Sequence, residues 1–461
     1  MNSSVIGSPQ IQPARQQGQD MAAGDVDTLE QVTMRKVAWR LVPLLCLLYV
    51  SAFIIRINVG FAALTMGPAL GITPTMFGFA GGIFFLSYFV FEVPSNLMLH
   101  RFGARIWIAR VMITIGIISA LFCLVAGPTS FYAMRFLLGA AEAGLFPGLI
   151  LYLTYWFPKR WRGRMTAGFV VAIPISSFLA GPLSSLILQL DGLGGFAGWQ
   201  WLFVLEALPA MVLCFVVWRY LTNRPEEATW LTAVQRDWLV RELAKENADI
   251  ASSNEKAADT GHGLGDVFSS LVSWQVMRLA LVYFGLTTGL YGIELWLPQI
   301  MKGFGLSNLE VGFVSAIPYV VAVSAMMAWA KRSDRTGDRF GAVAIACAVG
   351  FVALVAAAVV HSHSVLTVVT LSIAIAGVMS ARPPFWSLPT DFLTGRKAAA
   401  GIAAINSIGN LGGFAGPFLI GWARDLTGSF TTGLMISALT LLASTLFTLS
   451  LRSAAARKVV R

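Results

Sequence analysis

Residues 340–360 read Phe340-Gly-Ala-Val-Ala-Ile-Ala-Cys-Ala-Val-Gly-Phe-Val-Ala-Leu-Val-Ala-Ala-Ala-Val-Val360. No charged side chain interrupts them. At about 1.5 Å per residue a helix of this length reaches across the ~30 Å hydrocarbon core of a bilayer. A helix at the surface of a soluble protein would carry a polar stripe along one face; this one is apolar all round. Two arginines, Arg335 and Arg339, stand directly before it.

Working outward, eleven further stretches have the same character. The twelve predicted spans are 38–62, 75–98, 106–126, 130–154, 166–188, 201–220, 277–300, 309–330, 340–360, 364–388, 398–421 and 431–451. Only 12% of the 461 residues are charged, 56% are hydrophobic, and the mean hydropathy is +0.71. A soluble domain carries about 25% charged residues, so a water-soluble body is excluded. The net charge of +10 would suggest nucleic acid in a soluble protein, but here the basic residues fall in the loops of a membrane protein, and no nucleic-acid partner is expected. Cys46, Cys123, Cys214 and Cys347 lie apart within apolar runs, without metal-ligand spacing, and read as buried small hydrophobes.

The predicted organisation is a polar cytoplasmic tail (1–34) that is not a signal peptide, an amino-terminal six-helix bundle (35–220), a charged central loop with helical character (221–276), a carboxy-terminal six-helix bundle (277–451) and a short cytoplasmic tail (452–461). One set of loops carries Arg35, Lys36, Arg101, Arg105, Lys159, Arg160, Arg162, Arg164, Lys331, Arg332, Arg335, Arg339, Arg396, Lys397, Arg457 and Lys458; the opposite set carries only Lys302 and Arg424. The excess of positive charge marks the cytoplasmic face and places both termini inside. The halves also repeat. Leu179-Ala-Gly-Pro-Leu183 returns as Phe414-Ala-Gly-Pro-Phe418, and His100-Arg101-Phe-Gly103-Ala-Arg105 as Asp334-Arg335-Thr-Gly337-Asp-Arg339. Duplicated halves are how many secondary transporters build alternating access around a midplane site. The fold class expected is an all-α membrane protein of twelve helices in two pseudo-symmetric six-helix bundles.

An ionised side chain at the centre of a spanning helix costs roughly 2.5–3.5 kcal/mol. The clear cases are Arg56, Glu92, Arg135, Glu142, Glu294 and Arg382. Arg56 either snorkels toward a helix end or points its planar fork into a cavity, where it binds a carboxylate. Arg135 and Glu142 are two helical turns apart on one span, about 10 Å along the axis. They are either a structural ion-paired stripe or a substrate-binding arginine beside a proton-carrying acid. In the second case, an anion on the arginine changes what the acid's charge costs, and proton and anion become coupled. Glu294 is a second proton site, an ion partner or a selector of substrate polarity. Arg382 precedes Pro383-Pro384, where the helix should break or kink, and either lines the cavity there or reaches the interface. Glu92, before Pro94, reads as structural. Tyr88, Trp386, Asn406 and Asn410 add neutral contacts, to substrate or to packing.

These residues resemble the major facilitator superfamily and, within it, the anion:cation symporter family, over nearly the whole chain from about Val32. The segments Arg56-Ile-Asn58-Val-Gly60-Phe-Ala62 and Arg135-Phe-Leu-Leu-Gly139-Ala-Ala-Glu142 are similar to those of bacterial sugar-acid symporters and vesicular glutamate transporters. Pro384-Phe-Trp-Ser-Leu-Pro389, Thr394-Gly-Arg396 and Gly401-Ile-Ala-Ala-Ile-Asn406-Ser-Ile-Gly-Asn410 look like the phthalate/tartrate permease branch. The resemblance implies anion binding by Arg56 and Arg135, proton coupling by Glu142, and substrate contact by Tyr88 and Asn406. It also implies a gating motif at Asp334, Arg335, Gly337 and Arg339, matched by Arg101, Gly103 and Arg105. Two positions depart from the pattern: Ile55 stands where many bacterial members have Asp, so a second protonation site is missing or has moved, with Glu294 the candidate, and His100 replaces an Asp in the first gating motif.

The function expected is proton-coupled uptake of a small organic anion, an aromatic carboxylate or a hydroxy-dicarboxylate, by a monomer in a bacterial inner membrane. It needs no cofactor, the proton gradient being its energy source. The alternative on the same fold is an efflux antiporter. A membrane enzyme is disfavoured because none of His100, His262, His361 and His363 lies mid-span, and an ATP-driven pump because no GxxxxGK[ST] phosphate loop is present.

Overall fold

The computed structural model describes residues 14–258, 273–392 and 395–459. Residues 1–13 of the expected tail, His262, Thr394 and the side chains of Arg396, Lys397, Arg457 and Lys458 lie outside the described residues. The described chain is almost wholly helical: α1 Ala14–Ile57, α2 Val59–Leu70, α3 Pro74–Phe102, α4 Ala104–Leu121, α5 Pro128–Glu142, α6 Leu145–Trp156, α7 Lys159–Val170, α8 Ala172–Ile187, α9 Gly198–Tyr220, α10 Ala233–Ala258, α11 Trp274–Lys302, α12 Asn308–Thr336, α13 Arg339–Val359, α14 Ser364–Phe392, α15 Gly395–Asn410, α16 Gly412–Thr427 and α17 Thr431–Val459. Their ends carry the expected signals. Ser307 accepts from Glu310 N at 3.2 Å while the Glu310 carboxylate accepts from Ser307 N at 2.7 Å, a reciprocal cap that starts α12. Gly337, at φ 68°, ends it.

Among the described residues, eleven helical stretches are long and apolar enough to cross a membrane. The predicted eleventh span, 398–421, is not one of them; it falls on α15 and α16, 16 residues each, joined at Leu411. Leu411 keeps right-handed helical angles (φ −62°, ψ −20°), as do Asn58 between α1 and α2 and Val171 between α7 and α8. These three joints tighten the helix without turning it. The joint between α5 and α6 is different, because Ala143 is extended at ψ 132° and Gly144 is left-handed at φ 80°. A side chain at Gly144 would be strained there, so the glycine permits a true interruption, directly after Glu142. The break expected at Pro383-Pro384 does not occur. α14 runs on through both prolines, and Phe385 and Leu388 stay buried; packed neighbours hold a membrane helix together where proline removes its hydrogen bonds.

The helices form two six-span bundles that meet along two related seams. In one, α8 lies against α12; a side chain on Gly312 would meet the carbonyl of Gly181, and one on Gly181 the carbonyl of Gly312. In the other, α3 lies against α16, with Gly78 against the carbonyl of Pro417. Gly78 and Gly312 occupy equivalent positions in the two halves, and their partners belong to the two Ala-Gly-Pro repeats. The repeated motif is therefore a close-approach surface, each copy facing the opposite half. Both seams lie toward the end of the molecule away from α10, where Thr75 N also donates to Asp425 at 2.7 Å across the halves.

At the α10 end, ion pairs tie elements within the amino-terminal half and its central helix. Arg160 meets Glu30 at 2.6 Å and Glu242 at 3.3 Å, and Arg162 meets Glu246 at 3.0 Å. The end of the expected solvated tail is consequently structured: Glu30 also accepts from the Trp161 indole at 2.7 Å, and Thr33 and Met34 are buried. The outer surface is apolar, as in the stripe Leu208, Val212, Phe215 and Trp218 on α9. Of the four cysteines only Cys347 is buried; Cys46, Cys123 and Cys214 are half-buried.

Gly181→Val is expected to force the α8–α12 seam apart. Ser185→Cys, buried at that seam, should be protected from a water-soluble maleimide on its own and become labelled in the Gly181→Val background. Unchanged protection would refute the close-approach role.

Candidate functional site

The joints of α1 and α5 bring two charged residues together. Arg56 occupies the last turn of α1 and Glu142 ends α5. The Arg56 guanidinium donates to Glu142 Oε1 from Nη2 at 2.5 Å and from Nε at 3.1 Å. Both side chains are buried, 8% and 1% exposed, so Arg56 does not snorkel to an interface. Glu142 Oε2 has no hydrogen-bond partner. Phe53, Phe84 and Tyr88 present ring faces to the guanidinium at 5.3–5.5 Å, which seals the pair in an aromatic sleeve.

Arg135 does not pair with Glu142, although both lie on α5. Its Nη1 donates to the Arg56 carbonyl and its Nε to the Ala80 carbonyl, each at 3.3 Å. The Arg56 carbonyl belongs to the last turn of α1, where carbonyls lack helical partners and a cation is favoured. Arg135 thus caps the helix end that carries Arg56, with its own guanidinium 4.8 Å above the Phe84 ring. The two arginines and the acid form one network.

A small cavity of about 20 Å³ lies beside it, lined by Arg56, Arg135, Phe85, Tyr291, Glu294 and Pro417 among others. Both halves contribute, and the space in this structure holds about one water molecule. Glu294 on α11 accepts from the Ser177 hydroxyl of α8 at 2.9 Å, across the halves, while Tyr319 faces the same carboxyl and Oε2 has no hydrogen-bond partner. Arg382 on α14 is held between the rings of Tyr283 and Tyr291, 5.7 and 6.0 Å from their centroids, and its Nε has no hydrogen-bond partner. It thus sits beside Tyr291 of the cavity wall and is not itself among the lining residues. Trp386 packs edge-on against Tyr283 at 4.9 Å. Asn406 donates to Glu92 at 3.5 Å across the halves, so Glu92 takes part in the contact between them; Asn410 ends α15 one turn further on.

The gating residues sit apart from this site, near the α10 end. Gly103, at φ 83°, turns α3 into α4; Arg105 donates through Nε to the Trp218 carbonyl, and through its backbone N to Asn223 Oδ1 at 2.9 Å. Arg101 lies over Phe102. Asp334 and Arg335 are exposed, and the tie beside them runs from Asp338 to Arg452 at 2.9 Å. The sequence reading passed over Glu206 on α9, a buried acid bound to Ser184 at 2.7 Å. Its signal, an acid inside the apolar run Leu202–Ala210, was present in the sequence. Ser177, Tyr291 and Phe85 carry no such signal.

A sequence profile of the Major Facilitator Superfamily matches residues 45–417. The chain belongs to the major facilitator superfamily. Two proteins of Agrobacterium vitis, each named "Putative tartrate transporter", are 51% and 52% identical to it, over 94% and 92% of this chain and 94% and 95% of theirs. The "Quinolone resistance transporter" of Acinetobacter baumannii is 41% identical over 90% of this chain and 93% of its own. Among solved structures, a bacterial homologue of the human lysosomal transporter Spinster superposes with a TM-score of 0.68 at 15% identity, covering 89% of this chain and 95% of the other. This superfamily member is an integral membrane transporter and not an enzyme, and the tartrate-transporter relatives agree with the branch its motifs resemble.

The buried pair sets a stability prediction. Glu142→Ala leaves Arg56 without its carboxylate and should destabilise the purified protein by about 3–5 kcal/mol, whereas Arg56→Met with Glu142→Leu should recover most of the loss. Thermal unfolding in detergent compares the three variants. A single variant no less stable than the double would contradict the pairing.

Proposed function

We propose that the protein couples movement of a small organic anion to protons, with Glu142 as the proton switch and a dicarboxylate of the tartrate class as cargo. One observation carries this reading: the Arg56 guanidinium in the pocket wall is already occupied by Glu142. A carboxylate entering the pocket competes for that guanidinium. Once displaced, the Glu142 carboxylate would be buried without compensation, at a cost of several kcal/mol, and taking up a proton relieves it. Anion and proton are thereby bound together. When the proton leaves, Glu142 reclaims Arg56 and expels the anion.

The balance of charge supports an anion. Arg56, Arg135 and Arg382 face Glu142 and Glu294 around the central region, so each acid that is protonated leaves the site one unit more positive. Arg382 supplies a second cationic contact from the other half, which fits a cargo with two anionic or polar ends. Tyr291 and Phe85, 4.4 Å apart at their centroids, give the pocket an apolar wall. Neither the proton-driven cycle nor the direction of transport needs a cofactor.

Export is the second reading, and the name of the Acinetobacter baumannii relative favours it. Quinolones carry an aromatic carboxylate, so the same arginine site would serve them. The two readings separate by direction in proteoliposomes. An inward acid gradient should drive accumulation of labelled tartrate, and Glu142→Gln should abolish that accumulation while leaving tartrate exchange intact. Arg382→Ala should weaken uptake at least tenfold at limiting tartrate, the effect of losing a charged contact worth more than about 1.4 kcal/mol. Gradient-driven uptake unchanged in Glu142→Gln would refute its role; proton-driven extrusion of a quinolone without tartrate uptake would establish export.

A further inference from the structure

The amino-terminal bundle holds a buried acid that this cycle leaves unused. Glu206 on α9 is 3% exposed, and Ser184 and Asn58 beside it are fully buried. The Ser184 hydroxyl donates to Oε1 at 2.7 Å. Asn58, the joint between α1 and α2, faces the same carboxyl. Glu206 Oε2 and both Asn58 side-chain polar atoms, Oδ1 and Nδ2, have no hydrogen-bond partner. Three polar atoms without partners converge on one enclosed point, two residues beyond Arg56.

We propose that Glu206 is a second proton-carrying carboxyl, set by Ser184 and Asn58 at the joint between α1 and α2. The proposal rests on the proton-coupled reading above and adds a site to it. Among the described residues, no cation compensates the carboxyl from the elements packed on α9. α2 and α8 carry no titratable side chain. From α1, Arg56 is held by Glu142 and Arg40 lies 3.9 Å above the ring of Tyr220 at the far end of α9. The arginines of α4 serve elsewhere: Arg105 donates to the Trp218 carbonyl, 12 residues along α9 and so about 18 Å away, and Arg110 lies 3.9 Å above the Trp107 ring. On the connections at the near end of α9 stand Cys123, half-buried, and Asp191, whose carboxylate accepts from Gly198 N at 2.7 Å.

A metal ion is a poor occupant, because hard cations take six or more oxygens and three side chains in a closed core supply fewer. A proton needs one. An amide both donates and accepts, so Asn58 can answer either form of the acid: its Oδ1 accepts from a protonated Glu206, and its Nδ2 donates to the carboxylate. Each change of state turns the side chain at the joint directly after Arg56. Binding a proton converts the carboxylate and one proton to the acid, and release on the other side reverses it, so nothing else is consumed.

The test uses the full chain in proteoliposomes. In infrared difference spectra between acidic and alkaline pH, a carboxylic-acid band should be lost in Glu206→Gln and retained in Glu142→Gln, and Ser184→Ala should move the pH at which that band appears. With a gradient of one pH unit and no membrane potential, each coupled proton multiplies steady-state accumulation by about ten. Glu206→Gln should exchange tartrate as the parent does, showing that it is folded, yet accumulate it about tenfold less. A band unaffected by Glu206→Gln, or accumulation equal to the parent's, would overturn the proposal. Absence of gradient-driven accumulation in the parent itself would instead overturn proton symport, and with it the transport role of Glu206; a band still lost in Glu206→Gln would then mark a titrating acid uncoupled from transport.

Discussion

Arg56 and Glu142 meet in the interior of a membrane protein, where neither is tolerated alone. Removing an ion pair's partner in such a place costs several kcal/mol, and this constraint orders the residues around it. Glu142 reaches Arg56 because α5 stops at Glu142 and the chain turns through Gly144. Arg56 stays in place because Arg135 caps the carbonyl end of its helix. The aromatic rings around both arginines exclude water without competing for the carboxylate. A pair assembled this way is stable only while it is complete. In the proposed cycle an anion that takes one member is accompanied by a proton on the other, and the same electrostatic cost would then serve both structure and coupling.

The duplicated halves meet along equivalent seams, the arrangement on which many secondary transporters build alternating access. Gly312 against Gly181 and Gly78 against Pro417 are equivalent contacts, close enough that a single added carbon would collide with backbone. Close backbone approach through small residues is how helices associate where lipid leaves no hydrophobic drive between them. The seams close the end away from α10, and Ser177–Glu294 and Glu92–Asn406 join the halves through polar groups that separation would release.

Much of this was legible in the sequence because the bilayer imposes a length and a polarity on each span. The hydropathy blocks located the eleven stretches long and apolar enough to cross a membrane, and the Ala-Gly-Pro repeat pointed to the duplicated halves. The internal geometry of the spans was not legible. Spacing along one helix placed Arg135 and Glu142 together, yet Glu142 pairs with a residue on another helix, and pairing between helices leaves no periodic trace. The interruption after Glu142 hides in an ordinary Ala143-Gly144, whereas the conspicuous Pro383-Pro384 leaves α14 unbroken. Glu206 was visible as an acid in an apolar run, but its enclosure with Asn58 exists only once α1, α8 and α9 are packed.

The central claim is that an anion competes with the Glu142 carboxylate for Arg56 and so brings a proton with it, and it can be read without transport. Tartrate added to purified protein in weak buffer at neutral to alkaline pH should raise the pH of the solution, with protons taken up in proportion to bound anion and the uptake lost in Glu142→Gln. Tartrate binding with no proton uptake, or with the same uptake in Glu142→Gln, would contradict it.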